Sequence, residues 1–101
     1  MKEKTYDIFF SNLSNKLKMK IILSLKKSRK SVTELSKSLK TEQSKISHAL
    51  SSLRCCNIVK VKQKGKQRIY ELNKKTIIPI LKIIEKHSKT FCKGRCSCKK
   101  Q

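Results

Sequence analysis

Three segments decide the fold: ELSKSL (residues 34–39), QSKISHALSSL (residues 43–53) and IVKVKQKGKQRIYEL (residues 58–72). In the first two, leucine or isoleucine recurs every three or four residues, which predicts two short amphipathic helices. In the third, apolar and polar residues alternate on both sides of Gly65, which predicts a two-stranded ribbon that turns there. This order of elements predicts a mainly α fold with a small β-hairpin (α+β), the winged helix-turn-helix.

Boundary residues divide the chain around these segments. Several polar side chains can accept hydrogen bonds from the free N–H groups of a helix's first turn. They predict helix starts at Ser14 or Asn15, at Thr33, at Thr41 and at Thr76. Asn57 is expected to end the second short helix in a left-handed conformation, which asparagine tolerates. The polar residues 27–30 are typical of a loop.

Apolar helices flank this central part on both sides. One covers about residues 5–13, where Phe9 and Phe10 cannot both face a single stripe. It is either a core helix or a helix that gives half of its surface to a partner. The last helix carries a wide apolar surface made of Ile77, Ile78, Ile80, Leu81, Ile83 and Ile84. One small domain buries too little surface to cover both, so we expect the N- and C-terminal helices to form a homodimer.

The charge balance indicates a polyanionic partner. The 101 residues, enough for one domain, include 27 Lys and Arg against 6 Asp and Glu, giving a formal charge of +21. Part of this charge is a solvated lysine surface, but its self-repulsion is relieved by a polyanion. The basic residues lie along every segment rather than on one face of a long amphipathic helix. This distribution favours nucleic acid over an anionic membrane surface.

Several functions are excluded by what the sequence lacks. No apolar run approaches the about 20 residues of a membrane span, and the N-terminal MKEKTYDIFF lacks the apolar stretch of a signal peptide. We therefore expect a cytoplasmic protein without membrane contact, in which the five cysteines are reduced thiols or ligands. There are no paired carboxylates, no Gly-rich phosphate loop and no Ser/His/Asp set, so we expect neither catalysis nor a small organic substrate.

The second short helix has a polar face of a kind that reads DNA. Its side chains there are short and hydrogen-bonding, whereas a merely solvated face of this chain would carry lysines. Such a face suits base edges in the major groove of double-stranded DNA. Like charges crowded on the hairpin destabilise it unless phosphates neutralise them. We predict base contacts from Gln43, Ser44, Ser47 and His48, with Ser51 on the same face, and phosphate contacts from Lys45, Lys62, Lys64, Lys66 and Arg68.

With these residues identified, the chain resembles the ArsR/SmtB family of dimeric winged-helix repressors over about residues 17–81. The family's E-L-x-x-x-L helix is matched by residues 34–39, and its Q-S-T-V-S-R-H-L-x-x-L recognition helix by residues 43–53. The family's G-L-V corresponds to residues 57–59, and its Y-x-L after a basic wing to residues 70–72. The resemblance implies a homodimer that binds double-stranded DNA and responds to metals or metalloids.

The chain departs from this family where ligands are expected. Ser36 and Ser38 stand where the metal-sensing first helix has cysteines, so that thiolate site is absent. The last helix offers only Glu85 and His87, too few for the family's carboxylate and histidine site. Ala49 replaces the usual histidine of the recognition helix, so the role of that histidine is not carried over.

A basic, Cys-rich tail, residues 91–101, follows the winged domain and its flanking helices, residues 1–90. Thiolates with C-x3-C-x-C spacing suit soft ions such as As(III) and Cd(II), and a fourth ligand suits Zn(II). The candidate ligands are Cys92, Cys96 and Cys98, with His87 or Cys55 as additional ligands. The same basic surroundings favour oxidation of these thiols. A redox switch therefore remains open, as does a tail that only grips phosphate.

These observations predict a sequence-specific, homodimeric transcriptional repressor whose DNA affinity is modulated by a soft metal or metalloid at the C-terminal thiols. Two alternatives fit parts of the sequence. The excess of positive charge also suits a sequence-tolerant, nucleoid-type DNA-binding protein, and the thiols suit a redox-responsive regulator that binds no metal.

Overall fold

The computed structural model describes residues 2–92, with side chains described through residue 91. They form a mainly helical winged helix-turn-helix with a three-stranded antiparallel sheet, which confirms the predicted fold class. The elements in order are α1 (Glu3–Ser14), α2 (Lys16–Lys27), β1 (Lys30–Ser31), α3 (Val32–Leu39), α4 (Gln43–Cys55), β2 (Val59–Lys64), β3 (Gln67–Leu72), α5 (Ile77–His87) and a π-helical turn (Ser88–Cys92).

The core forms where the apolar stripes of the helices meet the base of the hairpin. Ile21 and Ile22 of α2 are fully buried, and so are Leu50 and Leu53 of α4. The other core side chains are Leu25, Leu35, Ile46, Ala49, Ile58, Val59, Tyr70, Leu72, Ile77 and Leu81. Burying one large aliphatic side chain contributes about 1.5–3 kcal/mol, so this cluster fixes how α3 and α4 sit against α2.

Two predicted helix starts are replaced by other capping arrangements. The side chain of Asn15 accepts a hydrogen bond from the backbone N–H of Lys18 (3.0 Å), as predicted. The α3 helix begins one residue earlier than predicted, and Ser31 caps it in place of Thr33. Ser31 Oγ accepts from the N–H of Glu34 (3.2 Å), while the Glu34 carboxylate accepts from the N–H of Ser31 (2.8 Å). This reciprocal capping box satisfies two free donors, which the Thr33 hydroxyl does not do.

The turn between α3 and α4 also differs in detail. The Thr41 hydroxyl donates to the carbonyl of Leu39 (3.0 Å), and so it closes the end of α3 rather than capping α4. Glu42 occupies the N-cap position of α4 without a side-chain cap bond. Thr76 holds the N-cap position of α5, again without such a bond.

The sheet has the strand order β1–β3–β2. The prediction of a polar loop over residues 27–30 is wrong at its end, because Lys30 and Ser31 pair with Tyr70 and Ile69 of β3. Strands β2 and β3 pair from Val59↔Leu72 to Lys64↔Gln67, which leaves a two-residue turn. Gly65 begins this turn with φ +63°, a conformation that glycine adopts without strain. Asn57 has φ +56°, as predicted for the residue that ends the second helix.

Large apolar side chains remain exposed on the two terminal helices. Tyr6 and Phe10 on α1 are 51% and 56% exposed, and Ile83 on α5 is 68% exposed. The inner side of α5 is held by buried Ile77 and Leu81. Among the described residues, no helix is both long and apolar enough to cross a membrane.

Candidate nucleic-acid interface

The recognition helix α4 presents two different faces. Its buried stripe consists of Ile46, Ala49, Leu50 and Leu53. The six side chains predicted to face DNA are all exposed: Gln43, Ser44, Lys45, Ser47, His48 and Ser51. At helical spacing these side chains centre on the side opposite the buried stripe. The helix therefore offers a surface of hydroxyl, amide and imidazole groups with a single lysine.

The hairpin of β2 and β3 projects from the core with basic side chains around its tip. Lys62, Lys64, Lys66 and Arg68 are all exposed, as a phosphate-binding wing requires. The register pairs Gln63 with Arg68, which places these two on the sheet face that buries Tyr70 nearer the core. Lys62 and Lys64 belong to the opposite face. The wing thus carries positive charge on both of its faces.

One predicted phosphate contact already has an ion-pair partner. Lys62 Nζ lies 3.4 Å from a carboxylate oxygen of Glu71 across the hairpin. The Lys62 side chain is 67% exposed while that of Glu71 is 19% exposed, so the ammonium reaches solvent over a more buried carboxylate. Part of the positive charge of Lys62 is therefore neutralised within the protein.

Arg29 belongs to the same basic surface and was missed by the sequence prediction. It lines a cleft of about 190 Å³ together with Lys62, Lys64 and Glu71. Nothing local in the sequence signals this placement, since residues 27–30 have the composition of a loop. Only the pairing of Lys30 with Tyr70 brings Arg29 against the outer face of the wing.

The candidate metal ligands are only partly within the described residues. Cys96 and Cys98 lie outside them, as does the side chain of Cys92, whose backbone ends the π-helical turn. Cys55 is exposed at the end of α4, and the His87 ring stacks on Phe91 with centroids 4.9 Å apart. Among the side chains that the structure describes, no three of His, Cys, Asp and Glu come together as a metal site.

The positions of the family's usual ligand sites have other roles here. The Ser36 hydroxyl donates to the carbonyl of Thr41 and so holds the turn between α3 and α4. Glu85 accepts a hydrogen bond from Lys26 (2.8 Å), which ties α5 to α2. This hydrogen bond and the charge of Lys26 lower the pKa of the Glu85 carboxyl below its ordinary value. These groups stabilise the fold of one protomer.

The same geometry occurs in solved winged-helix structures. HlyU from Vibrio cholerae N16961 superimposes with a TM-score of 0.73 at 21% identity, covering 91% of this chain and 99% of that one. Rv0081 of M. tuberculosis gives a TM-score of 0.76 at 27% identity, covering 82% and 84%. The homodimeric winged helix-turn-helix DNA-binding domain Mb0332 (fragment 1–100) from Mycobacterium bovis gives 0.72 at 13% identity, covering 83% and 81%.

The sequence also matches a known protein family over part of its length. The pattern of the family described as "Bacterial regulatory protein, arsR family" matches residues 15–61, from the cap of α2 into β2. Residues 15–61 therefore carry an ArsR-family domain. Domains of this family are DNA-binding winged helix-turn-helix domains of transcriptional regulators, and not enzymes. No curated protein sequence matches this chain.

Proposed function

We propose that this chain is a homodimeric repressor that reads an inverted repeat in DNA. The two copies of α4 would enter successive major grooves about 34 Å apart. The two wings would contact the flanking phosphates. The observation that carries this proposal is the exposed polar face of α4, which lies beside a basic hairpin and opposite the buried stripe of the same helix.

The composition of this face supports base contacts over simple solvation. The chain has 27 basic residues, yet Lys45 is the only one among the six exposed side chains predicted to face DNA. Short hydroxyl and amide groups match the donors and acceptors of base edges, and longer cations match phosphates. These side-chain types therefore favour base contacts from α4 and phosphate contacts from the wing.

The exposed apolar faces of α1 and α5 support the homodimer. Ile83, Ile84, Tyr6, Ile8 and Phe10 are each about half exposed or more, and a second copy would remove this surface from water. Mb0332, which has the same fold, is described as a homodimer. A two-fold symmetric dimer also explains why the expected DNA site is an inverted repeat.

The test introduces a negative charge on the polar face of α4. A Ser47→Glu substitution places a carboxylate against base edges and phosphates, so specific binding to DNA selected by the wild-type protein is expected to disappear. Thr76→Glu is the matched control, since it adds the same charge at an exposed helix N-terminus where a carboxylate is favourable. Retention of wild-type specific affinity by Ser47→Glu would refute the assignment of this face.

We further propose that the tail, residues 91–101, binds a soft metal or metalloid through Cys92, Cys96 and Cys98. His87 and Cys55 would serve as additional ligands. The support is chemical, because thiolates are the ligands that such ions prefer. Native mass spectrometry of protein purified without oxygen, with zinc, cadmium and arsenite added in turn, tests this proposal.

Uptake of one or two ions per dimer is expected. Replacing Cys92, Cys96 and Cys98 with serine should abolish it, whereas Cys56→Ser, outside the proposed set, should not. A protein that stays metal-free would remove metal sensing and leave either oxidation of the thiols or a repressor without a small ligand.

A further inference from the structure

Asn12 is the one residue of α1 that is buried, with 2% of its surface exposed. It lies on the same side of α1 as Phe9 and Leu13, which pack partly against the core. An amide at this position must find hydrogen-bond partners, because an unpaired buried polar group is costly. Its partners lie on two other helices rather than on α1 itself.

Asn12 joins three elements through a small hydrogen-bond network. Its Oδ1 accepts from Lys18 Nζ (2.9 Å) on α2 and from Ser52 Oγ (2.9 Å) on α4. Its Nδ2 donates to the sulfur of Cys56 (3.1 Å), directly after α4. Lys18 Nζ also donates to Ser52 Oγ (3.0 Å), which closes the network. Within the described residues, every buried side-chain nitrogen and oxygen has a partner.

Only an asparagine-like side chain can make all of these contacts. An amide offers two acceptor lone pairs and two donors, and here it accepts twice and donates once. Leucine has a similar volume but makes none of these bonds. Aspartate keeps both acceptor bonds and gains the charge of Lys18, but it loses the donation to Cys56.

The network acts on the end of α4 that does not face DNA. Ser52 and Cys56 lie at its C-terminal end, while the predicted base contacts begin at Gln43 at its N-terminal end. A small change in the tilt of α4 at Ser52 therefore moves the N-terminal part of the helix by a larger distance than the C-terminal part. Base contacts depend on such placement, whereas phosphate attraction depends mainly on charge.

We propose that Asn12 is a positioning residue for DNA reading, holding the recognition helix α4 in register through Ser52 and Cys56. This inference rests on the proposed reading of DNA by α4. It assigns to α1, a helix outside the helix-turn-helix, an indirect role in sequence discrimination. It also links the face proposed for the dimer to the face proposed for DNA.

The test compares two affinities for each variant at one salt concentration. One probe is a duplex that the wild-type protein selects from a random-sequence pool, and the other is a random duplex of equal length. For Asn12→Leu we expect the ratio of the two affinities to fall by about 10-fold or more, as the loss of a good base contact does. Affinity for the random duplex should be unchanged, since no charge is altered.

Two further variants separate positioning from stability. Ser52→Ala removes one donor and one acceptor from a half-exposed site, and it should lower the same ratio even if Asn12→Leu folds poorly. Asn12→Asp keeps the bond to Ser52 but loses the one to Cys56, so its ratio should fall between those of the wild type and Asn12→Leu. Ile77→Val in α5 is the control, because it weakens the core without touching the network.

The outcomes are distinct. If the wild-type protein selects a preferred duplex but Asn12→Leu and Ser52→Ala keep its affinity ratio, the positioning role is overturned and the proposed function stands. If Ile77→Val lowers the affinity ratio as much as a network variant with the same denaturation midpoint, Asn12 has only a structural role. If the wild-type protein selects no preferred duplex, the proposed function fails and this inference fails with it.

Discussion

At the residue scale, the wing lysines are not equivalent. Lys62 shares its charge with Glu71, whereas Lys66 lies in the exposed turn at the tip. Each phosphate that a protein neutralises releases counterions and steepens the dependence of DNA affinity on salt. A lysine that already has a carboxylate partner contributes less to this effect.

We therefore predict different salt slopes for two lysine substitutions. Lys66→Ala should reduce the slope of log affinity against log salt by about 0.9, the value for one phosphate contact. Lys62→Ala should reduce it by less, because Glu71 already neutralises part of the Lys62 charge within the protein. Titrations of fluorescent duplex DNA at several salt concentrations measure both slopes. Equal reductions would show that the ion pair opens completely on binding.

The sequence pattern predicted which residues of the candidate DNA-binding face are exposed. It did not predict residues whose position depends on a partner far along the chain. The face of α4 follows from helical spacing alone, and the five side chains predicted to lie on it are all exposed. Asn12 and Cys56 are 44 residues apart, and their hydrogen bond exists only once α1 has packed against α4. Cys56 is partly buried, packs against the core and accepts this bond. The available signal for Asn12 was its helical spacing, which places it on the same side of α1 as Phe9 and Leu13.

At the scale of elements, Ser31 has two roles that no single pattern reveals. It caps α3 and pairs with Ile69 of β3, and it is 5% exposed. The two-residue strand β1 could not be read from the sequence, because its hydrogen bonds come from a partner strand far along the chain. The capping box, by contrast, is visible as a serine three residues before Glu34. The predicted start of the helix was instead Thr33, which lies inside α3.

We predict that Ser31→Ala lowers the free energy of unfolding by about 1 kcal/mol, the usual cost of losing a serine cap. Thr33→Ala, at the exposed position first expected to begin the helix, should change it little. Urea denaturation followed by circular dichroism measures both variants. A larger loss for Thr33→Ala than for Ser31→Ala would contradict the capping arrangement.

At the scale of the whole molecule, a single chain leaves the apolar surface of its two terminal helices exposed. The fold and the wide apolar surface of α5 were both predictable, since they depend on periodicity and on the small size of the domain. The sequence pattern of a single chain does not show which surface covers α5. In the proposed homodimer it depends on the complementarity of two copies.

We predict that Ile83→Lys weakens self-association by about 10-fold or more, as the loss of a central interface contact does. Leu23→Lys is the matched control, since Leu23 is 45% exposed on α2 and borders a cleft with Ser38 and Leu39 of α3. Analytical ultracentrifugation over a range of protein concentrations measures both dimer dissociation constants. An unchanged constant for Ile83→Lys, or a larger effect for Leu23→Lys, would place the interface elsewhere.

The central claim is that α4 reads sequence, while the charge of +21 supplies general attraction to DNA. A sequence-tolerant protein with the same fold would use that charge as a clamp on the DNA phosphates and make no base-specific contacts. The most direct measurement is the affinity of the wild-type protein for the DNA upstream of its own gene, divided by its affinity for a random duplex at the same physiological salt. We predict a ratio of about 10³ or more, as for specific regulators; a ratio near one would contradict this account and favour the clamp.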